Sequence, residues 1–511
     1  MSYATVHSCT LCGVQALPVI VEIHIGGGLP GMSIVGLPQS AVRESKDRVK
    51  AAIQHMGLTF PQVKIIVNLA PADLPKRGGR FDLPIALGIL QATGQLPEQA
   101  LDGLMVLGEL GLTGELRSVS GILPTSHAFA ESRFSLFIPT ANAAEAIRSR
   151  RTRVYAVDSL QEAFRQLKHR HKEPLVLYGV SGENATMGLQ GRPTVPDLSD
   201  VVGQHKARRA LEIAAAGAHN LLMAGPPGTG KSMLASRLPG IQPPMSEMEA
   251  MEAASVASIS YTGFDAQHWG IRPFRAPHHT ASGVALVGGG ANPMPGEISL
   301  AHHGVLFLDE LPEYSRSVLD VLREPMETGR ITVSRAARQA EFPSRFQLVA
   351  AMNPCPCGYY NDAVVRCNCT PDVIMRYQSR ISGPFLDRID LHVDMQRELH
   401  LAVGAPVVGD NESSELIRQR VVQARDRQLD RQHMTNAMLA PRVLHEHAQL
   451  DKSASDLLRQ ATTRLNLTLR AQHRLLRVAR TIADLEADAK VECRHLAESL
   501  SYRRAPLLNS F

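Results

Sequence analysis

The stretch Gly225-Pro-Pro-Gly-Thr-Gly-Lys-Ser232 constrains this chain more than any other. An apolar run, Asn220 to Ala224, precedes it, and Met233 to Leu238 follows with a helical pattern. Strand, glycine-rich turn and helix in that order make a phosphate-binding loop credible. Gly225, Gly228 and Gly230 let the backbone turn tightly and aim its amides at phosphate oxygens, with Pro226, Pro227 and Thr229 completing the loop. Lys231 is placed to reach the β- and γ-phosphates, and the Ser232 hydroxyl to ligate Mg²⁺. The expectation is a nucleoside-triphosphate site.

A second segment, Gly304-Val-Leu-Phe-Leu-Asp-Glu310, is an apolar strand ending in two acids. ATP hydrolysis needs Asp309 to hold Mg²⁺ and Glu310 to orient and deprotonate the attacking water. Gln347 to Asn353 reads as a further strand ending in an amide. Together these segments resemble the AAA+ ATPases, which implies a doubly wound α/β domain over 200–400 followed by a helical lid over 401–511. The resemblance makes Asn353 the sensor-1 residue. It makes Arg388, in Leu386-Asp-Arg-Ile-Asp390, the arginine finger, with Arg380 as the other candidate. A finger acting in trans implies a ring, expected to be a homo-hexamer. Arg470 falls at the sensor-2 position of the lid, with Arg474 and Arg477 as alternates. Ile331 to Ser334 and Ala340 to Phe342 read as two short strands around a basic tip. In one AAA+ branch such a hairpin enters the central pore, which would put Arg335 and Arg338 against DNA phosphates. An ordinary exposed hairpin is the competing reading.

Residues 1–170 read as an α/β domain, with strands at Val19 to Ile25, Val63 to Asn68 and Ser135 to Ile138. Helices are expected at Ser40 to His55 and Leu83 to Ala92. The segments PADLPKRGGRFDLPIAL (71–87) and GELGLTGELRSVSGILP (108–124) resemble the Lon-protease-like domain, an α/β fold of the ribosomal S5 domain 2 type. Lon enzymes carry a nucleophilic serine and a lysine base there. Arg80 and Leu123 stand at those positions, and neither can do that chemistry, so a domain without peptidase activity is expected. The Gly/Pro-containing stretch that follows suits a linker over 171–199.

Two His-His pairs, 278–279 and 302–303, lie in PFRAPHHTASGVALVGGG and EISLAHHGVLFLDELPEY. No cysteine or paired carboxylate stands near them at ligand spacing, so loop packing or substrate contact is expected. Cys355-Pro-Cys357 and Cys367-Asn-Cys369, nine residues apart, offer four thiolates to a structural Zn²⁺; a disulfide pair and plain buried thiols are the alternatives. With the phosphate loop and its acids, these blocks resemble the YifB/ComM family of magnesium-chelatase-like ATPases over nearly the whole chain. That resemblance implies a DNA motor driving branch migration when single strands recombine during natural transformation. Its partners would be single-stranded and branched DNA. The rival class is a magnesium-chelatase-type ATPase remodelling a partner protein. The net charge of +5 over 511 residues is too weak to decide between them. No run approaches ~18 apolar residues, and no secretory signal opens the chain, so a cytoplasmic protein without a membrane span is expected.

Overall fold

A computed structural model describes residues 2–179, 195–290, 293–335, 338–397 and 412–503. The chain divides into two compact units. One comprises Met1–Arg192 with Met251–Trp269, the other Pro193–Ala250 with Gly270–Phe511. Among the described residues, no helix is long and apolar enough to cross a membrane.

The first unit is built on a mixed seven-stranded sheet. Its strands are β1 (Ser2–Cys12), β2 (Gln15–Gly26), β3 (Gly31–Val35), β4 (Lys64–Ala70), β5 (Leu104–Val106), β6 (Ser135–Pro139) and β7 (Val154–Val157). They run β3-β4-β2-β1-β5-β6-β7 across the sheet. β1, β2 and β4 pair antiparallel, while β5, β6 and β7 run parallel to β1. Gly26, which ends β2, and Gly27 and Gly28 after it begin the bend that leads into β3. Helix α1 (Asp82–Ala92) packs on β1 and β2 and is buried along nearly its whole length. That explains why its apolar run shows no polar stripe. The helix expected over Ser40 to His55 is broken at Glu44 into Ser40–Arg43 and Ser45–His55.

The second unit holds a five-stranded parallel sheet. In chain order its strands are β8 (Leu221–Ala224), β9 (Phe274–Arg275), β10 (Val305–Leu308), β11 (Gln347–Met352) and β12 (Leu391–Asp394). Across the sheet they run β9-β10-β11-β8-β12, so the first strand lies inside and helices must cross over it. Strands this short are buried on both faces and read as plain apolar runs. A separate hairpin pairs Arg330–Arg335 with Arg338–Pro343. C-terminal helices Ser414–Gln432 and Leu469–Leu485 share a core with the sheet, Ile417, Val421, Val478 and Ile482 being buried with Leu211 and Leu221.

Candidate active site

β8 delivers the phosphate loop, and the helix after it runs from Lys231 to Ala235. It starts earlier and ends sooner than the sequence suggests, because Gly230 in the left-handed region (φ +87°) lets the turn close directly onto Lys231. Gly225 is needed for another reason. A Cβ there would lie 2.5 Å from the Met395 carbonyl oxygen, just past β12. β10 and β11, side by side with β8 next to β11, end at the same edge. Asp309, Glu310 and Asn353 therefore arrive beside the loop at the carboxyl ends of parallel strands, where open α/β sheets bind ligands.

Pro227 to Met233, Asp309, Glu310 and Asn353 line one cavity of about 320 Å³. Lys231 Nζ donates to the carbonyls of Gly225 at 2.7 Å and Pro226 at 2.9 Å, and to Asn353 Oδ1 at 3.2 Å. Burial pulls its pKa down to about 8, against the opposing pull of Asp309. Ser232 Oγ donates to Asp309 Oδ2 at 2.6 Å. A hydroxyl and a carboxylate side by side are hard oxygen donors suited to Mg²⁺, and the lysine and loop amides suit a triphosphate. Glu310 sits in the left-handed region (φ +51°), with its amide on Asp309 Oδ1 at 2.9 Å.

The remaining arginines lie elsewhere. Arg388 and Arg470 do not line this cavity. Both pair with Glu327 Oε1, at 2.7 and 3.0 Å. Arg474 is committed to Asp387 and to the carbonyls of Leu386 and Ile389. Arg477 donates to Leu439 O. Arg380, half exposed, pairs with Glu313 at 2.9 Å. Arg335 and Arg338 face each other as backbone partners at the hairpin end, and their side chains lie outside the described residues. Sequence reasoning missed Glu327 as the shared partner of two arginines. It also missed His279, whose Nδ1 lies 3.0 Å from Glu310 Oε2. The His-His pair was a signal, but nothing local tied it to the acid.

Over the length of the chain, three family models match in succession. "Subunit ChlI of Mg-chelatase" matches residues 21–142, "Magnesium chelatase, subunit ChlI" 197–402, and "Magnesium chelatase, subunit ChlI C-terminal" 411–503. "Competence protein ComM" of Haemophilus influenzae is 47% identical over 505 residues, covering 98% of each chain. The chain belongs to the YifB/ComM family of magnesium-chelatase-like AAA+ proteins. An "Uncharacterized protein YifB" of Escherichia coli is 46% identical over 505 residues, 98% of this chain and 97% of its own. "Magnesium-chelatase 38 kDa subunit" of Rhodobacter capsulatus is 28% identical over 187 residues, only 33% of this chain and 52% of its own. The similarity to YifB/ComM proteins thus spans both units.

Two further polar clusters complete the picture. Cys355, Cys357, Cys367 and Cys369 converge just after Asn353. Cys355 Sγ is 3.3 Å from Cys357 Sγ and 3.7 Å from Cys367 Sγ, and the last two are 3.5 Å apart. A tetrahedral site with Zn–S of about 2.3 Å needs S–S edges of roughly 3.8 Å, so the set fits zinc. The Cys369 amide points at Cys367 Sγ at 3.4 Å. Burial raises the Cys357 pKa, yet amides of Tyr359 and Asn368 and the neighbouring thiols bring it to about 6. In the first unit lies Arg80, which the sequence resemblance sets at the position expected for the Lon nucleophile. It is buried and donates to Ser120 O, and to Cys9 O at 3.5 Å. Leu123 is fully buried, with its amide on Glu145 Oε1 at 2.8 Å. The same carboxylate accepts from the Ser258 hydroxyl, and Ser258 O accepts from the Gly121 amide at 3.1 Å.

Proposed function

We propose that this protein is a ring-forming, Mg²⁺-dependent ATPase that works as a DNA motor. It would drive branch migration so that an incoming single strand is integrated during natural transformation. The ATPase part is supported by one observation above others: Lys231, Ser232, Asp309, Glu310 and Asn353 line a single cavity at the end of a parallel sheet. Full-length similarity to a protein named for competence supports the DNA part. In this reading Lys231 leaves its loop carbonyls for the β- and γ-phosphates, and the Gly228–Ser232 amides hold the phosphate oxygens. Ser232 and Asp309 hold Mg²⁺, which offsets phosphate charge when bound. Asn353 positions a water, Glu310 accepts its proton, and the water oxygen bonds the γ-phosphorus as the bond to ADP breaks. Arg388, with Arg470 beside it on Glu327, is proposed to reach the ATP of the neighbouring copy in a hexamer. Arg335 and Arg338 are proposed to grip phosphate backbone in a salt-sensitive, sequence-independent way. The four cysteines are proposed to hold structural Zn²⁺. Elemental analysis should find one zinc per chain, lost in Cys367→Ser. The cytoplasm is the proposed location.

The deciding experiment measures ATPase and strand exchange on three-stranded DNA, wild type against Lys231→Ala, over a salt series. Stimulation by DNA that falls steeply with salt, absent in Lys231→Ala, is the expected result. The magnesium-chelatase models favour a second reading, remodelling of a partner protein. ATPase that ignores DNA at every salt concentration and responds only to a protein would establish that reading instead.

A further inference from the structure

β11 ends at Met352, and the next regular element is the helix Pro371–Gln378. Among the described residues, no helix or strand lies between them. A loop longer than about 12–15 residues without structure of its own is uncommon in a compact domain and is generally functional. The two cysteine pairs stand at its two ends, Cys355 and Cys357 beside β11, Cys367 and Cys369 beside the helix. Their sulfurs converge, so one metal ion held there closes the loop at its root.

The first pair also adjoins the phosphate loop. The Gly358 amide donates to Cys355 O at 2.9 Å, closing the turn 355–358. Gly358 is buried at φ +87°, and a Cβ on it would lie 2.7 Å from Pro227 Cδ and 3.2 Å from Pro227 Cγ. The turn is thus packed against Pro227, which lines the nucleotide cavity. On the other side of Cys355, Asn353 Oδ1 accepts from Lys231 Nζ at 3.2 Å, and Pro354 O accepts from Gln378 Nε2 at 2.9 Å. The segment 353–358 therefore meets the phosphate loop twice, once against a proline ring and once through the lysine. Such a loop binds phosphate by amides already aimed at it, so whatever fixes its outer wall helps to set its affinity.

We propose that the four cysteines are positioning residues for the nucleotide site: loaded with zinc, they hold the turn 355–358 against Pro227 and Asn353 beside Lys231, and ATP affinity depends on that hold. This inference rests on the ATPase and zinc readings above, and gives the metal a task in nucleotide binding beyond pinning its own loop. None of the four thiols lines the cavity, so they act through Pro227 and Asn353 and not by touching nucleotide.

The test uses the full-length protein and a fluorescent ATP analogue with Mg²⁺. Stripping wild type with a zinc-selective chelator should raise the Kd by about tenfold, the factor expected if the unpinned turn is in place one-tenth of the time. Adding zinc back should restore it. Gly358→Ala should keep its zinc by elemental analysis yet weaken binding by about tenfold, because the new methyl group meets Pro227. Pro227→Ala in that background removes the two carbons the methyl meets, and should recover most of the loss. A metal that only pins its own loop would leave Gly358→Ala, zinc-loaded and folded by circular dichroism, at the wild-type Kd; that result overturns the proposal. So does zinc-free wild type, still folded, that binds the analogue unchanged. Should chelation unfold the chain, the Gly358→Ala pair decides. Protein that purifies without zinc, or that binds no analogue, refutes the zinc or the ATPase reading itself, and both outcomes differ from a zinc-loaded protein whose Kd ignores its zinc.

Discussion

Lys231 and Arg80 are both cations taken out of water, and each donates to two main-chain carbonyls. The difference lies in what else surrounds them. Lys231 opens onto a cavity lined by two acids and an amide, and burial has brought its pKa to about 8. Arg80 is buried against Cys9 and Ser120, and burial lowers its pKa too. A guanidinium nevertheless starts so high that it keeps its charge. In the proposed function the lysine exchanges its carbonyls for phosphate oxygens, whereas Arg80 keeps its carbonyls inside the core. One unit keeps polar groups in waiting, and the other has closed them into its interior.

Substituting the acid should break this contrast most sharply. In Glu310→Gln, steady-state ATP turnover should fall by about 10²–10³ while nucleotide still binds, measured by phosphate release and by a fluorescent ATP analogue. The matching change in the closed site, Arg80→Ala, should leave KM for ATP unaltered. It should destabilise the first unit by roughly 2–4 kcal/mol, through a cavity and two stranded carbonyls. Differential scanning calorimetry would read this as an earlier transition. A smaller effect is expected from pH. As pH rises through about 8 in the free protein, Lys231 loses its proton and its attraction for phosphate. kcat/KM for ATP should therefore be level below that pH and fall by up to roughly tenfold per unit above it. Smallest of all, Ser258→Ala should cost about 1 kcal/mol by removing one donor to the Glu145 carboxylate.

How much of this could be read from residues alone follows from the reach of each interaction. The phosphate loop was legible because strand, turn and helix act over a dozen neighbours, and glycine is needed where φ is positive. Asp309, Glu310 and Asn353 were legible because each ends an apolar run, and the parallel sheet aligns such ends. β1 was not expected. Its sequence, Ser2 to Cys12, alternates buried Ala4, Val6, Ser8 and Thr10 with other positions, and half of that inner face is polar. The pairings of Arg388 and Arg470 with Glu327, and of His279 with Glu310, join residues 30 or more positions apart. Nothing local announces such contacts. Charge alone could not choose among the many acids available to each arginine.

One feature of the first unit bears on how the protein could be dissected. The helix Glu247–Ser258 lies in sequence between the glycine-rich loop at 225–232 and the acids Asp309 and Glu310, yet most of it, with the residues to Trp269, belongs to the N-terminal unit. There Ser258 and Ile259 are buried, Ile259 lying against Gly121, and Arg148 stacks 5.6 Å from the Trp269 ring. No single cut yields two whole pieces. A fragment beginning near residue 195 would carry a stranded apolar strap, and one ending there would expose the Glu145 carboxylate that the strap covers. Expression of either half should yield aggregation-prone material, and a recombined gene that swapped only the front portion would have to bring this internal strap along with it.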